Sequence, residues 1–107
     1  MTATYLLQVD FPSNGPFGER MAAEYQQLAK SINDEPGIIW KIWTENSEAS
    51  EAGGVYLFES EATAQKYLAK HTERLTSWGI TDIRGRVFAV NGPLSALNRA
   101  PLTSVAG

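Results

Sequence analysis

The residue of this chain with the clearest capacity for chemistry is its only histidine, His71. It lies among apolar residues at spacings of three and four, which predicts one inward-facing side of a helix. Because an imidazole titrates near neutral pH, His71 is a candidate catalytic residue that carries a proton or hydrogen-bonds a ligand. A half-buried histidine satisfied by one hydrogen bond is the alternative. With no second histidine and no cysteine, we expect no metal site and no disulfide.

Aromatic side chains form the second group of candidate functional residues. The chain has three tryptophans, and a small domain rarely needs so many to fill its core. Aromatic residues line apolar ligand pockets, although aromatic residues at core spacing also form ordinary cores. We predict that a substrate pocket beside His71 is walled by Trp40, Tyr56, Phe58 and Tyr25.

Trp40 and Trp43 lie three residues apart in a segment, 37–44, that is typical of a strand. Side chains alternate across a strand, so this spacing places the two indoles on opposite faces of a sheet. Neither face should then be left to water. We predict that Trp40 faces the pocket and that Trp43 faces a second copy of the chain.

The elements that must position these residues follow from hydrophobic periodicity and turn signals. Strands are predicted at 4–11, 37–44, 55–58 and 80–91, and helices at 17–33 and 60–78, with a loop at 46–52 and a helical turn at 93–98. This order predicts an α+β fold, the ferredoxin-like βαββαβ sandwich, with two helices on one face of a four-stranded antiparallel sheet. One domain is expected over 1–98, followed by a C-terminal tail at 99–107.

Composition excludes several classes of function. The net charge is -3 and the pI about 5.0, and the basic residues are scattered, so nucleic acid is not an expected partner. The chain has no apolar run long enough to span a membrane. Its first residues have no basic segment followed by an apolar stretch, and it has no cysteine, so we expect a cytoplasmic protein.

Several short motifs occur in one consistent order along the chain. They are NGPFG at 14–18, EPG at 35–37, WK at 40–41, WTE at 43–45, EAGGVYLF at 51–58, YLAKHTERL at 67–75 and VFAVN at 87–91. Together they resemble the YdhR family over about residues 6–98, which is described as a family of mono-oxygenases. The resemblance places the chain in the dimeric α/β-barrel superfamily of antibiotic-biosynthesis mono-oxygenases. It implies a homodimer that oxidises a small aromatic or quinol-like substrate with molecular oxygen, using no cofactor.

Two other functions stay open at this stage. A non-catalytic dimeric module that binds a hydrophobic metabolite would need the pocket but no proton carrier. Haem-degrading relatives of the same fold use an Asn on the first strand, a Trp at the end of the third and a His on the second helix. Here Gln8 and Asp10 occupy the first strand and Phe58 stands near the Trp position, so only His71 has a counterpart.

Overall fold

A computed structural model describes residues 3–103 and builds them around one four-stranded antiparallel sheet. The strands, whose order in the sheet is β2-β3-β1-β4, are β1 (Tyr5–Pro12), β2 (Ile38–Asn46), β3 (Glu51–Phe58) and β4 (Arg84–Ala89). The helices are α1 (Gly18–Glu24), α2 (Gln26–Ile32), α3 (Glu61–Ser77) and α4 (Gly92–Leu97). The predicted α+β ferredoxin-like arrangement is confirmed. Among the described residues, no helix combines the length and apolar character that a membrane span requires.

The core lies between α3 and one face of the sheet, which we call the inner face. Paired residues on this face include Leu7 of β1 and Tyr56 of β3, both almost fully buried. They pack with the buried side of α3, where Tyr67 and Leu75 are 3% exposed. The start of α3 is set by Ser60, whose Oγ accepts a hydrogen bond from the Thr63 N–H (3.1 Å), as an N-cap residue does.

The predicted helix at 17–33 is two short helices, α1 and α2, that meet at Tyr25. Tyr25 has φ -105° and ψ 17°, outside the helical region, yet its N–H still donates to the Met21 carbonyl (3.0 Å). The apolar stripe continues across this break, since Met21 and Ile32 are both buried. Periodicity predicted the buried side correctly but does not report whether the backbone is continuous.

Two strand boundaries also differ from the prediction. β3 begins at Glu51, so the expected loop at 46–52 is only a turn at 47–50. Gly53 and Gly54, which precede the predicted strand at 55–58, lie within β3, and a Cβ at Gly53 would overlap the Val9 carbonyl oxygen of the neighbouring strand. Glycine is therefore needed here for close approach of two backbones. β4 is shorter than expected, and Gly85 pairs regularly with Val9 and forms no bulge.

The opposite face of the sheet, which we call the outer face, carries an apolar row across all four strands. The paired residues of this row are Trp40, Leu57, Leu6 and Phe88. Trp40 Nε1 donates a hydrogen bond to the Pro101 carbonyl (2.7 Å), so the chain after β4 passes from one sheet edge to the other. The predicted tail at 99–107 is thus held at Pro101, and residues 104–107 lie outside the described residues.

We predict that Gly37→Ala destabilises the fold. Gly37 has φ +79°, and a Cβ there would lie 2.5 to 2.9 Å from three side-chain atoms of Thr63. Gly79→Ala is the matched control, because Gly79 has φ +85° but nothing within 4 Å of the added Cβ. We expect Gly79→Ala to cost about 1 kcal/mol and Gly37→Ala about 1–3 kcal/mol more, measured by urea denaturation. Equal losses would show that the Thr63 contact adds no strain.

Candidate functional site

A cavity of about 620 Å³ lies between the inner face of the sheet and the helices. This volume is within the usual range for small-molecule sites. Its walls come from every layer of the fold: Tyr25 at the junction of α1 and α2, Lys41 and Trp43 from β2, Tyr56 from β3, and His71 from α3.

The predicted site residues divide into those that reach the cavity and those that do not. His71, Tyr56 and Tyr25 line it. The Tyr56 and His71 rings meet edge to face, with centroids 6.1 Å apart. Phe58 is completely buried, stacks on Tyr56 with centroids 6.3 Å apart, and is a core residue behind the cavity wall. Trp40 lies on the outer face.

The two indoles are on opposite faces, as predicted, but their assignment to the faces was wrong. Trp43 pairs with Gly54 on the inner face, lines the cavity and stacks on Tyr25 (centroids 6.1 Å apart). The cause is a β-bulge at Ile39, between Ile38 and Trp40. If side chains alternated strictly after the inward-facing Ile38, Trp40 would also face inward. The extra residue of the bulge moves Trp40, and every later side chain of β2, to the opposite face of the sheet.

His71 is fixed by a polar cluster on one side of α3. Arg74 Nη2 donates to Tyr67 Oη (3.1 Å), and Arg74 Nε and Nη2 lie 3.3 and 3.1 Å from His71 Nδ1. A guanidinium has only donors, so Nδ1 accepts and the single ring proton is on Nε2. The pKa of His71 is lowered to about 3, mainly by burial and to a lesser extent by the nearby charges of Lys41 and Arg74. At neutral pH this imidazole is a hydrogen-bond donor and not a base.

Lys41 is the cavity residue that the sequence interpretation missed. Its Nζ lies 3.4 Å from the centroid of the Trp43 ring and 4.7 Å from that of Tyr56. Burial, followed by the charge of Arg74, lowers the pKa of Lys41 to about 7. A Cβ at Gly54 would lie 2.7 Å from Lys41 Cε, so this glycine makes room for the lysine side chain. The available signal was a charged residue two positions before Trp43, hence on the same strand face.

The two tyrosines of the cluster are held in their neutral form. The pKa of Tyr56 is raised mainly by burial and to a lesser extent by the neighbouring Tyr67. Burial also raises the pKa of Tyr67. Their rings lie 5.1 Å apart and tilted. Within residues 3–103, no group of three or more His, Cys, Asp or Glu side chains is placed to hold a metal ion. The site therefore combines neutral hydroxyl and imidazole groups with two basic side chains, Lys41 and Arg74.

This fold and cavity define a ferredoxin-like α+β domain with an aromatic, lysine-lined cavity on its inner face. The chain matches the sequence model of the family described as "Putative mono-oxygenase ydhR" over residues 6–101. It therefore belongs to the ydhR mono-oxygenase family.

A solved structure supports the fold assignment. The crystal structure of the NE2512 protein of unknown function from Nitrosomonas europaea resembles this chain with a TM-score of 0.59. The two are 17% identical over 84% of this chain and 91% of that chain. This likeness concerns the fold alone. A comparison with curated protein sequences found no match.

We predict that acid destabilises the protein through His71. The folded-state pKa of about 3 lies below the usual value of 6.5. The unfolded chain therefore binds more protons as pH falls below about 6.5, and the free energy of unfolding falls with it. Between about pH 7 and about pH 5 we expect a loss of roughly 2 kcal/mol from this group. Urea denaturation at both pH values measures it.

The matched control for this prediction is His71→Gln, which keeps an oxygen acceptor for Arg74 but does not titrate. The variant should lose less stability than the wild type over the same pH interval. An identical pH dependence in both proteins would contradict the assigned neutral, buried state of His71. NMR of the ring protons gives an independent reading, since the signals should not shift until well below pH 5.

Proposed function

We propose that the protein is a cofactor-independent mono-oxygenase that oxidises a small aromatic or quinol-like substrate with molecular oxygen. The observation that carries the proposal is the 620 Å³ cavity, in which aromatic walls meet the polar side chains of Lys41, Tyr56 and His71. Flat rings such as Trp43 and Tyr25 suit an aromatic ligand. Membership of the ydhR family supports the reaction class.

The proposed chemistry needs little from the protein beyond binding and electrostatics. Loss of a proton turns a phenolic substrate into an electron-rich anion that can reduce oxygen directly. For an activated CH₂ group between aromatic rings, CH₂ plus O₂ gives C=O plus H₂O, and the substrate supplies all the electrons. The protein must stabilise the anion with donors and exclude water. The Nε2–H of His71 is one such donor, and the nearby charges of Lys41 and Arg74 act in the same sense.

We further propose that the outer face joins two copies of the chain. Phe88, at one end of the apolar row, is 38% exposed on this face, and Ile42, beside the row, is 54% exposed. A two-fold axis would place Ile42 and Phe88 of each copy against the same face of the other and bury them. The ydhR resemblance supports the same homodimer.

A cytoplasmic location is part of the proposal and is supported by the absence of cysteine from the sequence.

We expect oxygen uptake when the protein meets a suitable member of a panel of quinols and anthrone-like phenols. An oxygen electrode measures the rate, and product formation should cease under nitrogen. His71→Ala should lower kcat roughly 100-fold, since one preorganised donor to a developing anion is lost. Thr76→Ala, at an exposed position of α3, is the control and should leave the rate unchanged. Oxygen uptake that is insensitive to His71→Ala would exclude this residue from the reaction.

A binding module for a hydrophobic metabolite is the second candidate function. It is favoured by the neutral, hydrogen-bonded state of His71, which allows ligand recognition without proton transfer. Tight binding of panel compounds with no oxygen uptake would support the module over the enzyme.

Haem ligation has less support, because Nδ1 of His71 accepts from Arg74 and Nε2 carries the proton. Hemin should accordingly give no Soret shift that depends on His71.

We predict that Ile42→Asp dissociates the dimer. A charge in the centre of the proposed interface would be buried without a partner, which weakens association by several kcal/mol, or roughly 1000-fold in Kd. Ala69→Asp, on the exposed side of α3, is the matched control and should remain dimeric. Sedimentation equilibrium of both variants and the wild type gives the result. A wild-type monomer at all concentrations would rule out the outer face as a self-association surface.

A further inference from the structure

The charge of the cavity wall has the opposite sign to that of the chain. The protein carries a net charge of -3, with twelve acidic residues. In the described part of the chain, no Asp or Glu lines the cavity, and Lys41 is its one charged lining residue. Arg74 adds a second positive charge behind the wall, close enough to lower the pKa values of both Lys41 and His71. Such a cavity attracts anions.

The ammonium of Lys41 is placed for contact with a ligand. Its neighbours are the ring faces of Trp43 and Tyr56, which attract a cation but accept no conventional hydrogen bond. Across residues 3–103, no carboxylate oxygen lies within 4.0 Å of Lys41 or Arg74. Arg74 already donates hydrogen bonds to His71 and Tyr67, whereas Lys41 Nζ is held by cation–π contacts with the two rings. The donors of Lys41 are thus available to a molecule in the cavity.

Building on the proposed function, we propose that the substrate is an acidic aromatic compound bound as its anion, and that Lys41 is the catalytic base that takes its proton. The phenolic O–H bond breaks as an N–H bond forms at Nζ. The bonding pair stays on oxygen, so the step leaves an ammonium and a phenolate in contact. This proton transfer needs no oxidant, and oxygen then reacts with the phenolate.

The surroundings make Lys41 the group that changes charge near neutral pH. Its pKa of about 7 leaves a large fraction of free amine in a neutral solution, as a general base requires. His71 stays neutral because its pKa is near 3, and burial raises the pKa values of both cluster tyrosines. The titratable and charged groups that line the cavity with Lys41 or lie against it are Tyr56 of β3, Tyr67, His71 and Arg74 of α3, and Tyr25 between α1 and α2.

Three naphthalene probes test the proposal by calorimetry on the wild-type protein. These are 2-naphthoate, a permanent anion; 2-naphthamide, its neutral counterpart of similar shape; and 2-naphthol, an acidic phenol. At about pH 6 we expect naphthoate to bind at least tenfold more tightly than naphthamide. Above pH 7 its affinity should fall by up to tenfold per pH unit, as Lys41 loses its proton. Naphthol should behave oppositely and bind more tightly as pH rises toward 7, because its proton must move to a free amine.

Substitutions separate charge from proton transfer. Lys41→Met should abolish the preference for naphthoate over naphthamide and the pH dependence of both naphthoate and naphthol binding. Lys41→Arg should keep the naphthoate preference but lose the naphthol response, since a guanidinium does not accept a proton at these pH values. In oxygen-uptake assays both variants should be at least 100-fold slower than wild type. Lys66→Met, on the exposed side of α3, is the control and should match wild type in every assay.

The outcomes distinguish this inference from the proposed function. Equal binding of naphthoate and naphthamide by the wild type, or failure of all three probes to bind, overturns the inference without reference to any variant. Normal oxygen uptake by Lys41→Met overturns the catalytic role. If the Lys41-dependent pH responses appear but no compound of the panel consumes oxygen, anion recognition stands and the mono-oxygenase proposal fails.

Discussion

Arg74 donates hydrogen bonds to Tyr67 and His71 from one side of α3, and the site depends on this half-buried guanidinium. A charge that is partly shielded from water is stabilised by dipoles or an opposite charge, and the side-chain acceptors of Arg74 within residues 3–103 are neutral. Its field disfavours a second positive charge nearby, so it adds to burial in keeping His71 neutral and in lowering the pKa of Lys41. Together, Lys41 and Arg74 make the cavity positive inside an acidic chain, and a positive, aromatic cavity matches the anionic ligand proposed for it.

The two faces of the sheet differ in what they carry: Lys41 and the cavity lie on the inner face, and the apolar row lies on the outer face. On the inner face, the missing side chain of Gly54 leaves space for Lys41 to lie across the strand toward Tyr56. Gly85 has a comparable role at the other edge, because a Cβ there would overlap the Leu68 side chain of α3. The outer face carries the apolar row of Trp40, Leu57, Leu6 and Phe88, with the exposed Ile42 next to it. The inner face thus encloses the cavity, and the outer face carries the surface proposed for self-association.

Most of the fold could be predicted from periodicity, and the errors have specific physical causes. The order of elements and the buried position of His71 on α3 were correct, because burial of one side of each element imposes its own spacing. The third strand is predicted to begin only at Val55, after Gly53 and Gly54, whereas close approach to Val9 requires glycine at position 53 within the strand. The break at Tyr25 was missed, since the apolar stripe is the same on both sides of it. In the site, His71 was found because of its residue type, and Lys41 was overlooked because lysine usually lies at the surface.

The sequence by itself determined that Trp40 and Trp43 lie on opposite faces of a sheet, because alternation is a property of extended backbone. It also determined that His71 lies on the buried side of α3. Only the tertiary structure decided which indole joins the cavity. The bulge at Ile39 shifts β2 by one residue against β3, and this shift moves Trp40 outward and brings Lys41 inward with Trp43. Pairing with a neighbouring strand decides which residues of a strand face each side of the sheet, and that pairing depends on residues distant in the chain.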